Sequence, residues 1–314
     1  MGIGIALPAR SDVATGNLVE TLLEQTTEAA SFGLDAVWFP QRWDFDAVTM
    51  ATLAGSRVPG IGVGTSIVPI YPRHPIPLAA QAQTAQAATG GRFTLGLGLS
   101  GRSTVESSFG ISYEKPIRHL REQLTALRSL FRTGSADVAG ETLTARTAPG
   151  AATLPGATPP PVLVAAMGTQ ALRATGELAE GTLPRLAGPK TIASHIVPTI
   201  TVAAQAAGNP PPEITALVPT IVTGDVAAVR ARIIEIEAFY EQIPSYRAVL
   251  DREGVDRAGD IAIIGDEETV AARVADYFDA GATGFVGVQT GYGQPGDRMR
   301  TWRLLGELAR ARRD

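Results

Sequence analysis

The chain has 314 residues, is 45% hydrophobic, and carries a formal net charge of −4 with no cysteine and three histidines. That size allows one large domain or two ordinary ones around a sizeable core. Disulfides, thiolate metal sites and cysteine nucleophiles are excluded together, and the mildly acidic balance with no basic cluster argues against nucleic acid as a partner. His74, His119 and His195 lie far apart with no metal-ligand spacing. No apolar run reaches the length of a membrane span, and the start, MGIGIALPAR, enters a strand pattern without a basic leader. A cytoplasmic protein without a metal is expected.

In chain order, residues 2–7 read as an apolar strand and 16–32 as a helix, with Leu18, Leu22, Leu23, Ala29 and Ala30 at helical spacing and Gly33 after its end. A strand at 35–40 and a helix near 45–56 follow. The next strand covers 61–68. After it comes a helix at 76–89, opened by Pro75 and Pro77 and closed by Gly90 and Gly91. A strand at 93–99 and a helix at 116–132 complete the first half. Residues 133–160 are rich in Thr, Ala, Gly and Pro and read as an excursion. The alternation then resumes: strand 161–168, helix 169–179, short strand 181–186, helix 189–207, strand 214–224 and helix 225–241. A polar stretch, 243–260, precedes the run DIAIIGD, a helix at 267–280, a strand at 284–289 and a closing helix at 296–312.

About eight strands alternating with helices over short connections fit a (β/α)8 barrel, a TIM-type α/β fold. An open doubly wound sheet is the competing architecture, but the G-x-G at 96–98 lacks the third glycine and the acid of a dinucleotide fingerprint. Because the alternation continues across the Pro-rich stretch, a single domain over 1–314 is expected, with 133–160 as an insertion. On the strand at 93–99, Leu95, Leu97 and Leu99 would face one way and Gly96, Gly98 and Ser100 the other. Repeated glycines on one face imply that a neighbouring element or a flat ligand approaches closely.

In a barrel the functional groups stand at the C-terminal ends of the strands. Those ends are Pro8–Arg10, Pro40–Trp43, Ser66–Pro69, Leu99–Arg102, Ala165–Thr169, Pro184–Arg185, Thr223–Asp225 and Gln289–Tyr292. They hold no carboxylate pair for glycoside hydrolysis and no triad for acyl transfer. A rim so poor in acids and bases suits a bound cofactor that carries the chemistry. The small-residue turn Ala165–Ala166–Met167–Gly168–Thr169 leads into a helix N-terminus, which reads either as a phosphate or carboxylate cradle or as an ordinary capped βα turn.

The runs TSIVPIYPRHP (65–75), QAATGGRFTLGLGLS (86–100) and PPPVLVAAMG (159–168) resemble the luciferase-like monooxygenase superfamily. Within it they resemble the oxidoreductases that use the deazaflavin coenzyme F420, relatives of methylene-tetrahydromethanopterin reductase. SHIVP (194–198), PSYRAVLDREGV (244–255) and the GDEE…DAGAT ending extend the likeness over essentially the whole chain. The resemblance implies a (β/α)8 barrel with an insertion near the cofactor and a non-proline cis peptide at Ser66–Ile67 backing the cofactor ring. It also implies cofactor contacts at Ser66, Ile67, Val68, Leu99, Ser100, Gly101, Ala165, Ala166, Met167, Gly168 and Thr169. Homodimers are common among such proteins.

Two positions depart from that pattern. Relatives carry a histidine after the second strand, where this chain has Gln41–Arg42, and others a glutamate after the fourth, aligned with Gly101 or Arg102. Hydride transfer needs geometry alone and survives both losses. Catalytic candidates are Arg42, Trp43 and His74. Arg42 either meets an anionic ligand or is solvated, and Trp43 walls a substrate pocket or packs. His74 contacts the cofactor or caps the helix after it. Trp38 is expected to pack, and Tyr71 and Tyr292 to close the pocket or line its wall. The segment Ser245, Tyr246 and Arg247 has no derivable role, and the charged helices at 226–241 and 297–313 read as solvated faces or a dimer surface. The expected function is hydride transfer between coenzyme F420 and a small organic substrate. An FMN-dependent monooxygenase of the same fold and a non-catalytic cofactor-binding protein are the alternatives.

Overall fold

Alternating short apolar runs and amphipathic segments can bury their faces together only as layers. In a computed structural model, which describes residues 2–8, 16–289, 291–294 and 296–313, they form a ring of parallel strands inside a ring of helices. The strands are β1 (Ile3–Ala6), β2 (Ala36–Phe39), β3 (Gly62–Thr65), β4 (Phe93–Gly98), β5 (Val162–Val164), β6 (Gly181–Thr182), β7 (Glu213–Val222) and β8 (Gly284–Val288). Gly4 lies opposite Ala36, Ala36 opposite Gly62, Val63 opposite Phe93 and Leu95 opposite Val162. Leu163 then meets Gly181, Glu213 pairs with Gly181, Thr215 with Gly284, and Ile3 with Phe285. The ring therefore closes, and a doubly wound sheet with two edges is excluded.

Residue alternation sorts the side chains into two cores. Ile3, Ile5, Val37, Phe39, Val63, Leu95 and Leu97 pack outward under the helices. Ala36, Trp38, Leu163, Leu183, Leu217, Val286 and Val288 fill the barrel interior. Trp38 packs as expected: its ring occupies the space left by Gly64, where an added Cβ would lie 2.5 Å from Trp38 Cζ3. Asn17, Asp46, Asp225 and Asp266 each accept a first-turn amide and fix the starts of the helices Leu18–Ser31, Ala47–Arg57, Val226–Glu241 and Glu267–Asp279.

Several elements differ from expectation. Residues 102–109, left unassigned by the pattern, form a helix whose one buried residue is Val105, too little for an apolar stripe to show. The polar stretch 243–260 contains the helix Pro244–Glu253. Within 133–160 an antiparallel hairpin pairs Asp137–Ala139 with Thr144–Arg146. The helix at 189–207 contains a π-helical turn at Ile192–Ile196, because Pro198 has no N–H to return to the carbonyl four residues back. The run DIAIIGD supplies a short strand, Ile263–Gly265, paired with the upper half of β7.

The largest correction concerns the helix Val226–Glu241. It is not a solvated face alone: beside its exposed side, Val229, Ile233 and Glu237 are buried, and the first two pack with Leu217, Ile221 and Val288 in the interior core. The helix thus lies across the C-terminal mouth of the barrel. Among the described residues no helix is long and apolar enough to cross a membrane, and no group of three or more His, Cys, Asp or Glu could hold a metal. Ala9, Arg10 and Thr290, expected on the rim, lie outside the described residues.

Candidate active site

The site starts from a break in one strand. After β3 the Ser66–Ile67 peptide is cis, and pairing resumes only at Val68–Pro69 against Leu97–Gly98. At the break the Thr65 side chain replaces backbone in the ladder: its Oγ1 donates to the Gly96 carbonyl and accepts from the Gly96 N–H, both at 2.8 Å. The glycines of β4 make this possible. A Cβ at Gly96 would collide with the Thr65 carbonyl, and one at Gly98 would lie 2.7 Å from Ile67 Cδ1. The expected close approach to this face therefore exists, but the bulge makes it. Gly96 and Gly98 seat the bulge, and Ile67 stands between them and the site.

Ile67 forms the inner wall of a cavity of about 570 Å³. Its floor and far side come from Leu99, Ser100 and Gly101 after β4 and from Ala165, Met167, Gly168 and Thr169 after β5. Two helices begin on it, Arg102–Phe109 at Gly101 and Thr169–Leu178 at Gly168, and neither has a side-chain cap. Their first-turn amides are left for another partner, and the two positive dipole ends favour an anion between them. A Cβ at Gly168 would meet nothing within 4 Å, so the cradle is open there. Ser100 holds φ 62° and turns the chain between β4 and its helix. The Tyr113 hydroxyl donates to the Ser100 carbonyl at 3.2 Å, and burial raises the Tyr113 pKa so that the phenol stays protonated. Eight of the expected cofactor-contact residues are brought together here. Ser66, Val68 and Ala166 line neither this cavity nor the next: Val68 and Ala166 are buried in the outer core, where the strand alternation turns them away from the mouth.

A second cavity of about 840 Å³ adjoins the first through the shared residues Ser100, Thr104 and Tyr240. It gathers all three catalytic candidates, with different fates. Arg42 is tied to Asp44 through two hydrogen bonds, at 2.8 and 3.1 Å. His74 is committed to the fold: its Nδ1 accepts the Ile76 N–H at 3.3 Å, and its Nε2 donates to the Thr144 carbonyl of the hairpin at 2.8 Å. The capping reading is therefore the one its contacts support. Trp43 is 76% exposed and meets Phe109 with ring centroids 5.6 Å apart. Deeper in, Arg73 pairs with Asp46 and donates to Gln41 and Gln81 at 2.9 and 3.0 Å. Burial pushes the Asp46 carboxyl up, and hydrogen bonds from Arg73 and Thr49 more than reverse it, leaving it ionised.

Tyr240, in both cavities, was not a sequence candidate. Its ring lies over the Arg185 guanidinium, 4.3 Å from Cζ to centroid, and against Tyr246 at 4.7 Å. Arg185 is held by two bonds to Glu237, 2.8 and 2.9 Å, and the Tyr292 hydroxyl donates to the same carboxylate. Burial opposes ionisation of Glu237, but Arg185 and Tyr292 hold its pKa below the usual carboxylate range. The PSYR segment thus reaches the site as well as the fold: Tyr246 backs Tyr240, and Ser245 and Tyr246 both line the smaller cavity. The sequence signal was slight, a glutamate and a tyrosine three apart on a charged helix, and only the fold carries that helix over the mouth. Tyr71 stacks between Tyr113 and His119 behind the Ser100 turn, at 4.9 and 4.4 Å, and lines neither cavity.

Comparison with known proteins agrees with this architecture. The profile of the family described as luciferase-like monooxygenase matches residues 1–284. A Mycobacterium tuberculosis protein provisionally named as a coenzyme F420-dependent oxidoreductase is 33% identical over 108 residues, 34% of this chain and 31% of that protein, so the match spans about a third of each. The 5,10-methylenetetrahydromethanopterin reductase of Methanolobus tindarius is 26% identical over 228 residues, covering 72% of this chain and 68% of the relative. Among solved structures, the coenzyme F420-dependent tetrahydromethanopterin reductase of Methanopyrus kandleri superposes with a TM-score of 0.79 at 21% identity over 99% of both chains. The oxygenating constituent of 3,6-diketocamphane monooxygenase from Pseudomonas putida, in complex with FMN, does so with 0.75 at 15% identity over 98% of this chain and 97% of that one.

Proposed function

The chain belongs to the luciferase-like monooxygenase family, and from that premise we propose that it is an oxidoreductase that binds coenzyme F420 at the barrel mouth and reduces or oxidises a small organic substrate beside it. The observation that carries the reading is the pair of uncapped helix N-termini on one cavity whose inner wall is Ile67. Such a cavity fits a cofactor with a flat ring and a phosphate-bearing tail. The amides after Gly101 and Gly168, with the Thr104 and Thr169 hydroxyls, would hold the phosphate, and Ile67 would support the ring. Relatives with F420 in their names support the deazaflavin. When bound, it supplies a two-electron hydride donor or acceptor and no oxygen activation.

The residues of this chain contribute binding, orientation and exclusion of water. Tyr240, seated on Arg185, divides the cofactor cavity from its neighbour, and Trp43 and Phe109 stand at the outer end of the latter. Among the described residues, each acid and histidine lining the two cavities is already bound by the protein, Asp46 by Arg73 and His74 by Ile76 and Thr144. Positioning is therefore the main catalytic device, and it is a large one, since well-oriented reactants can gain about 7–11 kcal/mol. We read residues 1–314 as one domain carrying this site.

A second reading keeps the site and exchanges the cofactor, because a protein of the same fold is seen with FMN and the cradle would accept its phosphate equally. Titration of the purified protein with F420 and with FMN separates the two. Binding of F420 with consumption of its reduced form on an activated enone is expected. Tight FMN binding with oxygen uptake dependent on reduced flavin would sink the deazaflavin reading. Binding of F420 without turnover over a broad panel would make the chain a carrier.

A further inference from the structure

The larger cavity has an unusual balance of charge and apolar surface. Among the described residues, every charged side chain on its wall already has a partner in the protein: Arg42 has Asp44, and Arg73 has Asp46 with Gln41 and Gln81 as further partners. His74 has both ring nitrogens engaged. The rest of the described wall is neutral: the Ser100 and Thr104 hydroxyls, and ring faces and apolar edges from Trp43, Phe109 and Tyr240 together with Pro69, Pro72 and Pro77. Trp43 is the most exposed large apolar side chain among the described residues, at 76%. An indole standing in water at the mouth of a cavity, with a phenyl ring 5.6 Å away, offers a ring face to a ligand entering there.

We infer that this cavity is the substrate site and that it selects uncharged, planar, aromatic or conjugated compounds. The inference rests on the cofactor reading above only for which cavity is left to the substrate. Among the described residues, a carboxylate or phosphate on the ligand would meet only cations that already hold a carboxylate: drawing Arg73 away would strand the partly buried Asp46, and the exposed Arg42 would have to be drawn from Asp44. A bulky saturated ring would lack the stacking that aromatic pairs supply, about 0.5–1.5 kcal/mol each beyond area. A flat neutral ring entering beside Trp43 meets Phe109 and then Tyr240, which places it next to the cofactor cavity through the shared wall.

The protein reports on itself here. Of the three tryptophans, Trp38 and Trp302 are 1% and 0% exposed, so acrylamide quenching of the indole fluorescence reads Trp43. Coumarin, neutral and planar, is the probe, with benzoate as the planar anion and cyclohexanone as the neutral non-planar ring. Coumarin is expected to shield Trp43 with an affinity at least about tenfold above either comparison, a difference of about 1.4 kcal/mol. Trp43→Ala and Phe109→Ala are expected to weaken coumarin by a similar factor, while Trp43→Phe restores most of it. Trp43 is exposed, so its variants keep the melting temperature.

Benzoate binding as tightly as coumarin, or coumarin affinity unchanged in Trp43→Ala, overturns the inference. So does a Trp43 already shielded without ligand, which would show a second copy of the chain covering it. F420 binding is titrated separately in the same variants. Coumarin binding without F420 binding would fail the cofactor and leave this site standing. F420 binding without coumarin binding would fail this site alone.

Discussion

Single side chains decide which atoms reach the site. Gly96 and Gly98 differ only by two positions, yet an added methyl meets different objects: the immovable Thr65 carbonyl at Gly96, and the end of the flexible Ile67 side chain at Gly98. Gly96→Ala is therefore expected to abolish soluble expression or lower the urea midpoint sharply. Gly98→Ala should fold and instead push Ile67 toward the cavity, weakening cofactor binding several-fold with a small change in melting temperature. Equal stability losses in the two variants would contradict the bulge as the reason for the glycines. His74→Asn keeps a capping side chain and loses only the hairpin bond, so turnover within about threefold of wild type is expected, a loss of under about 1 kcal/mol. A hundredfold fall in turnover with stability retained would return His74 to the chemistry.

At the scale of elements, the helix Val226–Glu241 is tied across the barrel by one buried ion pair. Its removal from one side leaves a charge with no partner. Arg185→Met strands Glu237, which is 1% exposed, and is expected to cost about 3–5 kcal/mol in urea denaturation. The double change Arg185→Met with Glu237→Leu removes both charges and should recover most of that stability. It should not recover ligand affinity, because Tyr240 has lost the guanidinium beneath its ring. Recovery of both would mean that the pair serves stability alone. The helix was legible in the sequence as an element over 225–241, but its place was not: its buried face, Val229, Ile233 and Glu237, is narrow and includes an acid, which masks the apolar stripe.

The whole molecule should lose stability on the acid side in two stages. Burial lowers the His119 pKa, with nearby Glu122 acting in the opposite sense. A histidine depressed in the folded state favours the neutral form, so the unfolded chain takes up the proton first. Its contribution is full above about pH 6.5 and fades as the pH falls below that value. Asp46 and Glu237 have pKa values below the ordinary carboxylate range. Their contribution is full above the unfolded-state values and is lost from about pH 5 downward as the pH passes through the folded ones. Urea midpoints measured across pH should fall below 6.5 and more steeply below 5. His119→Gln should remove the first stage only, and an unchanged first stage would assign it elsewhere.

The sequence by itself determined the periodicities, and with them the barrel, since strand–helix alternation with short links and two-faced burial leaves few ways to bury both faces. It also determined the local devices that chemistry fixes within a few residues, such as the Pro75 opening and Gly90–Gly91 end of one helix, the Gly96 and Gly98 face and the small-residue turn after β5. Only the tertiary structure decided what those devices meet. The ring closure from β6 to β7 brings Arg185 under Tyr240, residues 55 positions apart in the chain. The bulge, and not a ligand, fills the space over Gly96 and Gly98. His74 spends its nitrogens on Ile76 and on a hairpin carbonyl 70 residues away. Those outcomes depend on packing between distant segments, and no pattern along the chain carries a distance across the barrel.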